Sequence, residues 1–261
     1  MIQPEPISGV KLKFARRLLT AKGRATEGAF LAEGPQAVRE ALAFGDVLFV
    51  AISASATAEA QALAGGAAVQ GLTVFSAADD QMAQVTDTVH GQGVVAVCRQ
   101  PSASLNGLVG TLFLVLDAVQ DPGNVGTLIR TADAFGVAGV VATAGTVEVT
   151  SPKVVRASVG SVFHLPVATG VDFDDVVTWA RSRGLRLLGA DADGVTLNSL
   201  GPSLAAPTVW VVGNEAHGLP AEHLRLMDQT VAVPMWGRAE SLNVATAAAI
   251  CLYQSALAHN P

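Results

Sequence analysis

Three loops in the C-terminal part of this chain gather the residue types that chemistry needs. The first runs Asp117-Ala118-Val119-Gln120-Asp121-Pro122-Gly123-Asn124-Val125-Gly126-Thr127-Leu128-Ile129-Arg130. An apolar run ends there, Pro-Gly turns the chain, and Asn124 is a residue type that caps a new helix. Val125, Leu128, Ile129, Ala132 and Phe135 recur at helical spacing and face a core. Arg130 falls off that stripe, less than two turns beyond Asn124. Taken alone this is a capped helix with a surface arginine. The glycines invite a dinucleotide-loop reading, but the G-x-G-x-x-G pattern is absent. The second loop is Val211-Val212-Gly213-Asn214-Glu215-Ala216-His217-Gly218-Leu219. Gly213 and Gly218 allow close backbone approach to a ligand. Glu215 lies directly beyond an apolar strand, so it is expected to be partly buried and therefore paired. His217 reads as a loop-surface histidine, since nothing near it in sequence offers a partner. The third loop is Val231-Ala232-Val233-Pro234-Met235-Trp236-Gly237-Arg238-Ala239-Glu240-Ser241-Leu242-Asn243-Val244-Ala245. Here a strand feeds a loop, and Ser241 is placed to cap a long helix that starts at Leu242.

These loops need a scaffold, and the surrounding pattern supplies one. Apolar runs at 112–119, 137–142, 185–190, 209–212 and 231–234 show little alternation, as strands of a parallel sheet covered on both faces do. Helices fill the gaps. One starts near Asp172 with Asp174 and Asp175 in its first turn and ends with Arg181 and Arg183 before Gly184, charges that suit both ends of the macrodipole. The last helix carries almost no charge, so it must be buried on most sides, as between a sheet and a partner subunit. Upstream, a basic helix at 10–21 precedes strands at 30–32, 47–53, 74–75 and 94–97, with helices at 36–42 and 54–64. That is a second, smaller α/β pattern. Turn and linker residues at 100–104 place a boundary there. The expectation is an N-terminal domain over 1–103 and a C-terminal domain over 108–261.

Bulk properties narrow the class. With 261 residues, 50% of them hydrophobic and only 15% charged, the chain has enough apolar material for a sizeable core, and global disorder is excluded. No apolar run approaches the roughly 18 residues that cross a bilayer, and the N-terminus lacks signal-peptide character. Cys98 and Cys251 lie far apart and form no ligand-spaced cluster. The expectation is a cytoplasmic protein with no membrane partner, no disulfide framework and no metal. A net charge of −6 argues mildly against a nucleic-acid partner. Distribution matters more: Lys11, Lys13, Arg16, Arg17, Lys22 and Arg24 crowd one short stretch. That cluster is either a solvated helix face or a local phosphate-binding surface.

Taken together, the three loops resemble the signature motifs of the SpoU (TrmH) class of the SPOUT methyltransferase superfamily. Asn124, Gly126, Arg130, Phe135 and Gly136 match N-x-G-x-x-x-R-x-x-x-x-F-G. Gly213, Glu215, Gly218 and Leu219 match G-x-E-x-x-G-L. Pro234, Met235, Gly237, Ser241, Leu242, Asn243 and Val244 match P-M-x-G-x-x-x-S-L-N-V. The stretch from Ser151 to Ser158 followed by Gly160 is also similar, and it adds Lys153 and Arg156 to the RNA-binding candidates. Phe30-Leu31-Ala32-Glu33-Gly34 resembles the small substrate-binding domain that precedes many of these enzymes. The resemblance implies an α/β C-terminal domain with a parallel sheet and a deep trefoil knot, a form that no propensity argument would reach. It also implies an obligate homodimer and S-adenosylmethionine bound in the knot. The cofactor-binding candidates are then Gly213, Val233 and Leu242, with Met235 and Ala190 lining the same pocket.

The implied reaction is in-line attack of a ribose 2′-oxygen of RNA on a sulfonium methyl group, with ribosomal RNA favoured over transfer RNA. The resemblance makes Arg130 the central catalytic residue. An arginine keeps its charge at neutral pH, so we read it as a clamp on the neighbouring phosphate that stabilises the developing alkoxide, rather than as a base. Asn124 would orient Arg130 or the ribose, Glu215 would brace the loops, and Ser241 and Asn243 would fix the third loop. The competing readings are a non-catalytic RNA-binding protein on the same fold and a nicotinamide-dependent enzyme, which the absent phosphate loop disfavours.

Overall fold

A computed structural model of the chain describes residues 4–88 and 91–259. The chain divides into two compact units, Met1–Pro101 with Thr150–Phe163, and Ser102–Val149 with His164–Pro261. This differs from the continuous C-terminal domain expected from sequence. The chain leaves the second unit after Val149, completes the first, and returns at His164.

The first unit is a mixed five-stranded sheet. Its strands are β1 (Glu5–Pro6), β2 (Ala29–Glu33), β3 (Val47–Ser53), β4 (Val74–Ala77) and β5 (Val94–Arg99), in the order β1-β4-β3-β5-β2. β5 runs antiparallel to both β2 and β3. Its helices are α1 (Gly9–Arg17), α2 (Ala21–Glu27), α3 (Pro35–Phe44), α4 (Ala58–Val69) and α5 (Asp79–Met82). Strand side chains alternate between faces. Phe30, Ala32, Val94, Ala96 and Cys98 pack with α3 and α4, whereas Ala29, Leu31, Val95 and Val97 pack with Ala15 and Leu18 at the end of α1. Val155 and Val162, from the later segment, are buried in the α3–α4 core, with Phe163 stacked on Phe30 at 5.6 Å. That burial is why Thr150–Phe163 belongs to this unit.

The basic stretch forms two helices, not the single one expected. α1 is capped at its start by the Ser8 hydroxyl, and the chain breaks at Thr20, whose hydroxyl caps α2. Leu18, between them, is fully buried.

The second unit is a six-stranded, wholly parallel sheet in the order β11-β9-β10-β6-β7-β8. Its strands are β6 (Leu112–Leu116), β7 (Gly139–Thr143), β8 (Val167–Val171), β9 (Arg186–Thr196), β10 (Thr208–Val212) and β11 (Gln229–Ala232). Helix α6 (Pro122–Ala134) follows β6, and α7 is the short Pro152–Ala157 helix of the first unit. Then come α8 (Phe173–Ser182), α9 (Ala221–Leu224) and α10 (Val244–His259). β6 and β10 are buried at every position, which explains their unalternated apolar sequence. On one face Phe113 and Trp179 of α8 meet edge to face at 4.9 Å. On the other, buried Trp210 donates its indole N–H to Ser255 of α10 at 2.9 Å, so the one polar handle of a large core side chain is satisfied.

Two caps differ from the sequence reading. α6 is capped by Asp121, whose carboxylate accepts the Asn124 N–H at 2.8 Å, with Pro122 in the first turn. α10 starts at Val244, and the Asn243 side-chain oxygen accepts the N–H groups of Ala245 at 2.9 Å and Thr246 at 3.3 Å. Asn124 and Ser241 are thereby released from the capping roles expected of them.

Candidate active site

Chain direction decides where a ligand can go. β6 and β7 lead toward one edge of the parallel sheet, whereas β9, β10 and β11 lie on the other side of β6. Loops leaving the C-terminal ends of strands at such a reversal diverge and open a crevice. The second unit has a cavity of about 520 Å³ lined by Ala190–Ala192 of β9, by the loops after β10 and β11, by Asn124 at the start of α6 and by the start of α10. That volume is in the range of small-molecule sites.

The β10 loop turns back tightly. Asn214 and Gly218 exchange backbone hydrogen bonds at 3.1 and 2.8 Å. A Cβ on Gly213 would lie 2.3 Å from the Gly218 carbonyl carbon, so only glycine allows this closure. The turn is tied to the β6 loop at two places. The Asn214 amide donates to the Ala118 carbonyl at 3.0 Å. The Glu215 carboxylate accepts the N–H groups of Gln120 at 3.2 Å and Asp121 at 3.0 Å. Partial burial pushes the Glu215 carboxyl upward, but hydrogen bonds from the Asn124 side chain and from backbone N–H groups outweigh it and hold the carboxyl below its ordinary value.

Asn124 joins this network at 3.1 Å, donating from Nδ2 to Glu215 Oε1. Its Oδ1 then accepts from Asn243 Nδ2 at 2.9 Å. The order of donors is fixed from both ends. Glu215 only accepts, and Asn243 has its oxygen turned to the α10 N–H groups, so its amide nitrogen must face Asn124. One continuous chain of hydrogen bonds, Asn243 to Asn124 to Glu215, connects all three sequence loops along the cavity. A second polar group stands at the end of β6, where buried Asp117 meets half-buried His223. Asp117 accepts from Thr143 at 3.0 Å and sits 2.6 Å from His223 Nδ1, and the His223 ring stacks on Phe173 at 3.8 Å.

Nine of the sequence candidates share this cavity: Asn124, Glu215, Ser241, Asn243, Gly213, Val233, Leu242, Met235 and Ala190. Arg130 does not. It is exposed, makes no hydrogen bond or ion pair among the described residues, and is absent from the cavity wall. Six residues of helix place it about 9 Å along the axis from Asn124 and about 120° around it. Lys153 and Arg156 fall in the first unit. Arg156 there pairs with Asp87 at 2.8 Å and Glu33 at 3.6 Å, whereas Lys153 is exposed. Of the N-terminal basic residues, Lys11, Lys13, Arg16, Arg17 and Lys22 are exposed. Arg17 is paired with Glu27 at 2.8 Å, and the Lys11 ammonium lies 5.1 Å from the Phe49 ring centroid. Arg24 departs from the expected basic surface: it is buried, and its guanidinium donates to the Leu18 carbonyl at 2.9 Å. Sequence reasoning passed over Asp191, Ala192 and Ala247 on the cavity wall. Asp191 had a local signal, being the residue after candidate Ala190.

A parallel sheet with a ligand cavity outside its strand ends, walled by aliphatic side chains and one amide–carboxylate relay, defines an α/β domain built to hold a small organic cofactor. A family model described as the SpoU rRNA Methylase family matches residues 111–253, and one described as the MRM3-like substrate binding domain matches residues 10–96. The chain belongs to the SpoU rRNA methylase family. It is 35% identical over 97% of its length, and 98% of the relative's, to the 23S rRNA (guanosine(2553)-2′-O)-methyltransferase RlmP of Bacillus subtilis. It is 36% identical to the 23S rRNA (uridine(2479)-2′-O)-methyltransferase of Streptomyces viridochromogenes over 62% of this chain and 59% of that one. Among solved structures, an AdoMet-bound rRNA methyltransferase from Sinorhizobium meliloti aligns with TM-score 0.84 and 30% identity, covering 96% of this chain and 95% of that one. The SpoU methyltransferase AviRb of Streptomyces viridochromogenes, in complex with AdoMet, aligns with TM-score 0.84 and 28% identity over 95% and 98% of the two chains.

Proposed function

We propose that this protein transfers a methyl group from S-adenosylmethionine to a ribose 2′-hydroxyl of RNA, with 23S ribosomal RNA the substrate. The single observation that carries the reading is the Asn243–Asn124–Glu215 relay on the wall of a cavity that also presents aliphatic side chains. The relatives named above act on ribose hydroxyls of 23S rRNA, and two of the aligned structures hold AdoMet.

The cavity fits that cofactor. Val212, Val231, Val233, Leu242 and Ala247 offer aliphatic surface to a purine, and backbone around Gly213 lies open to its edge. When bound, S-adenosylmethionine supplies a methyl group on an already cationic sulfur, so no metal is needed to activate the leaving group. The chain's own part is positioning and charge. Asn124 keeps one amide N–H and a lone pair beyond its two network bonds, enough to orient a ribose hydroxyl. Glu215 is filled by three donors and braces the loops instead of taking a proton. Arg130 is exposed and has no partner among the described residues, which leaves its guanidinium free to hold an RNA phosphate.

The same reading includes a homodimer and a knot. Tyr253 and Leu257, four residues apart on α10, expose one apolar face on a helix nearly free of charge, a surface suited to a second copy. The loops after β10 and β11 and the start of α10 share one cavity with β9, an arrangement compatible with a tucked C-terminal segment. In the first unit Lys11, Lys13, Arg16 and Lys22 would receive the RNA backbone.

The test is transfer of labelled methyl from S-adenosylmethionine to unmodified 23S rRNA, followed by nuclease digestion. Label in a 2′-O-methylnucleoside supports the reading; label in a base, or none with 23S rRNA but transfer to tRNA, overturns the reaction or the substrate respectively. Arg130→Lys should lose most of the turnover, because an ammonium cannot reproduce a bidentate clamp.

A further inference from the structure

The cavity wall carries a carboxylate that the relay does not use. Asp191 lies on β9 between Ala190 and Ala192, and all three line the cavity. Among the described residues, Glu215 and Asp191 are the only acidic ones on the wall, and no basic residue shares it. Both Glu215 oxygens are already engaged, Oε1 by two donors and Oε2 by one. Asp191 accepts one hydrogen bond, from the Asp193 N–H to Oδ1 at 3.0 Å, and Oδ2 has no partner among the described residues. The Asp193 N–H fixes the direction of the carboxylate and leaves half of it for a ligand.

Position says which part of a ligand. In the order β11-β9-β10-β6, Asp191 stands on β9, beside the strand ends that give Val212, Val231 and Val233. Asn124 follows β6, two strands away, and reaches the wall together with Asn243. A nucleoside with its base against the aliphatic wall and its reactive sulfur toward Asn124 carries its sugar next to the base, within reach of a carboxylate that stands on the same wall. A carboxylate beside an aliphatic base pocket suits vicinal hydroxyls, which donate to it without bringing a charge of their own. This rests on the reading of the cavity as an S-adenosylmethionine site, and we propose that Asp191 binds the ribose hydroxyls of that cofactor.

Calorimetric titration of wild type, Asp191→Asn and Asp191→Ala separates the possibilities, using S-adenosylmethionine, S-adenosylhomocysteine and 5′-methylthioadenosine. The third ligand keeps base and ribose but lacks the amino-acid portion. Both variants should lose roughly tenfold or more in affinity for all three ligands, the size expected for hydrogen bonds to a charged group, with unchanged melting temperature in the absence of ligand. If 5′-methylthioadenosine binds the variants as it binds wild type while the other two weaken, Asp191 pairs with the ligand's ammonium group and the proposal is overturned. Loss confined to S-adenosylmethionine would point to the sulfonium and overturn it equally. Unchanged affinity for every ligand overturns it and leaves the cofactor site intact. Wild type that binds none of the three removes the cofactor reading itself.

Discussion

Asn124 is the residue through which the three loops speak to one another. It donates to Glu215, accepts from Asn243 and still faces the cavity. Asn124→Ala should lower turnover on the order of 100-fold, the cost of misplacing a reacting group, while S-adenosylhomocysteine affinity stays within about threefold. Steady-state kinetics beside calorimetry checks this, and equal loss of both would remove Asn124 from substrate positioning. Glu215 makes a second prediction through acid. Its carboxyl is held below the ordinary value of 4.5. A depressed folded-state value adds stability that is complete above 4.5 and lost as pH falls through the folded value. Urea unfolding of wild type and Glu215→Gln should therefore differ at pH 7 and converge on acidification below 4.5. A gap that persists at low pH would mean the carboxylate's charge is not what stabilises the loops.

At the scale of elements, the site depends on loops that close only with particular residues. Gly213→Ala places a Cβ 2.3 Å from backbone in the same turn, so the β10 loop must open. The expected outcome is loss of measurable S-adenosylhomocysteine binding with the protein still folded by circular dichroism; retained binding would show that the turn is not needed. Much of this layer was legible in sequence. The unalternated runs of β6 and β10 announced a doubly covered parallel sheet, and both strands are buried throughout. The caps were less legible because several capping residue types stand close together. Pro122 fits a first helical turn, which points to Asp121 as the cap, and Asn243 took the role expected of Ser241. The assignment of Thr150–Phe163 left no local sign, since it rests on Val155, Val162 and Phe163 reaching partners distant in sequence. Helical geometry alone separates Arg130 from Asn124, a distance that a motif pattern does not express.

Over the whole molecule, the account has two units and one cavity. The N-terminal basic cluster lies on the first unit, and the amide relay, with exposed Arg130, lies in the second. A net charge of −6 is compatible with this because Lys11, Lys13, Arg16, Arg17 and Lys22 crowd one short stretch and form a local patch. The nearly uncharged α10 argues for a second copy. Light scattering should give twice the mass of one chain, and Tyr253→Asp with Leu257→Asp should give a single-chain mass. A wild-type monomer at micromolar concentration would contradict the dimer.

The most direct test of the central claim is a ribose-methylation map of 23S rRNA from cells lacking this gene, complemented by wild type or by Asn124→Ala. The account predicts that one 2′-O-methyl site disappears in the deletion, returns with wild type and stays absent or sharply reduced with the variant. An unchanged map, or full restoration by Asn124→Ala, would contradict it.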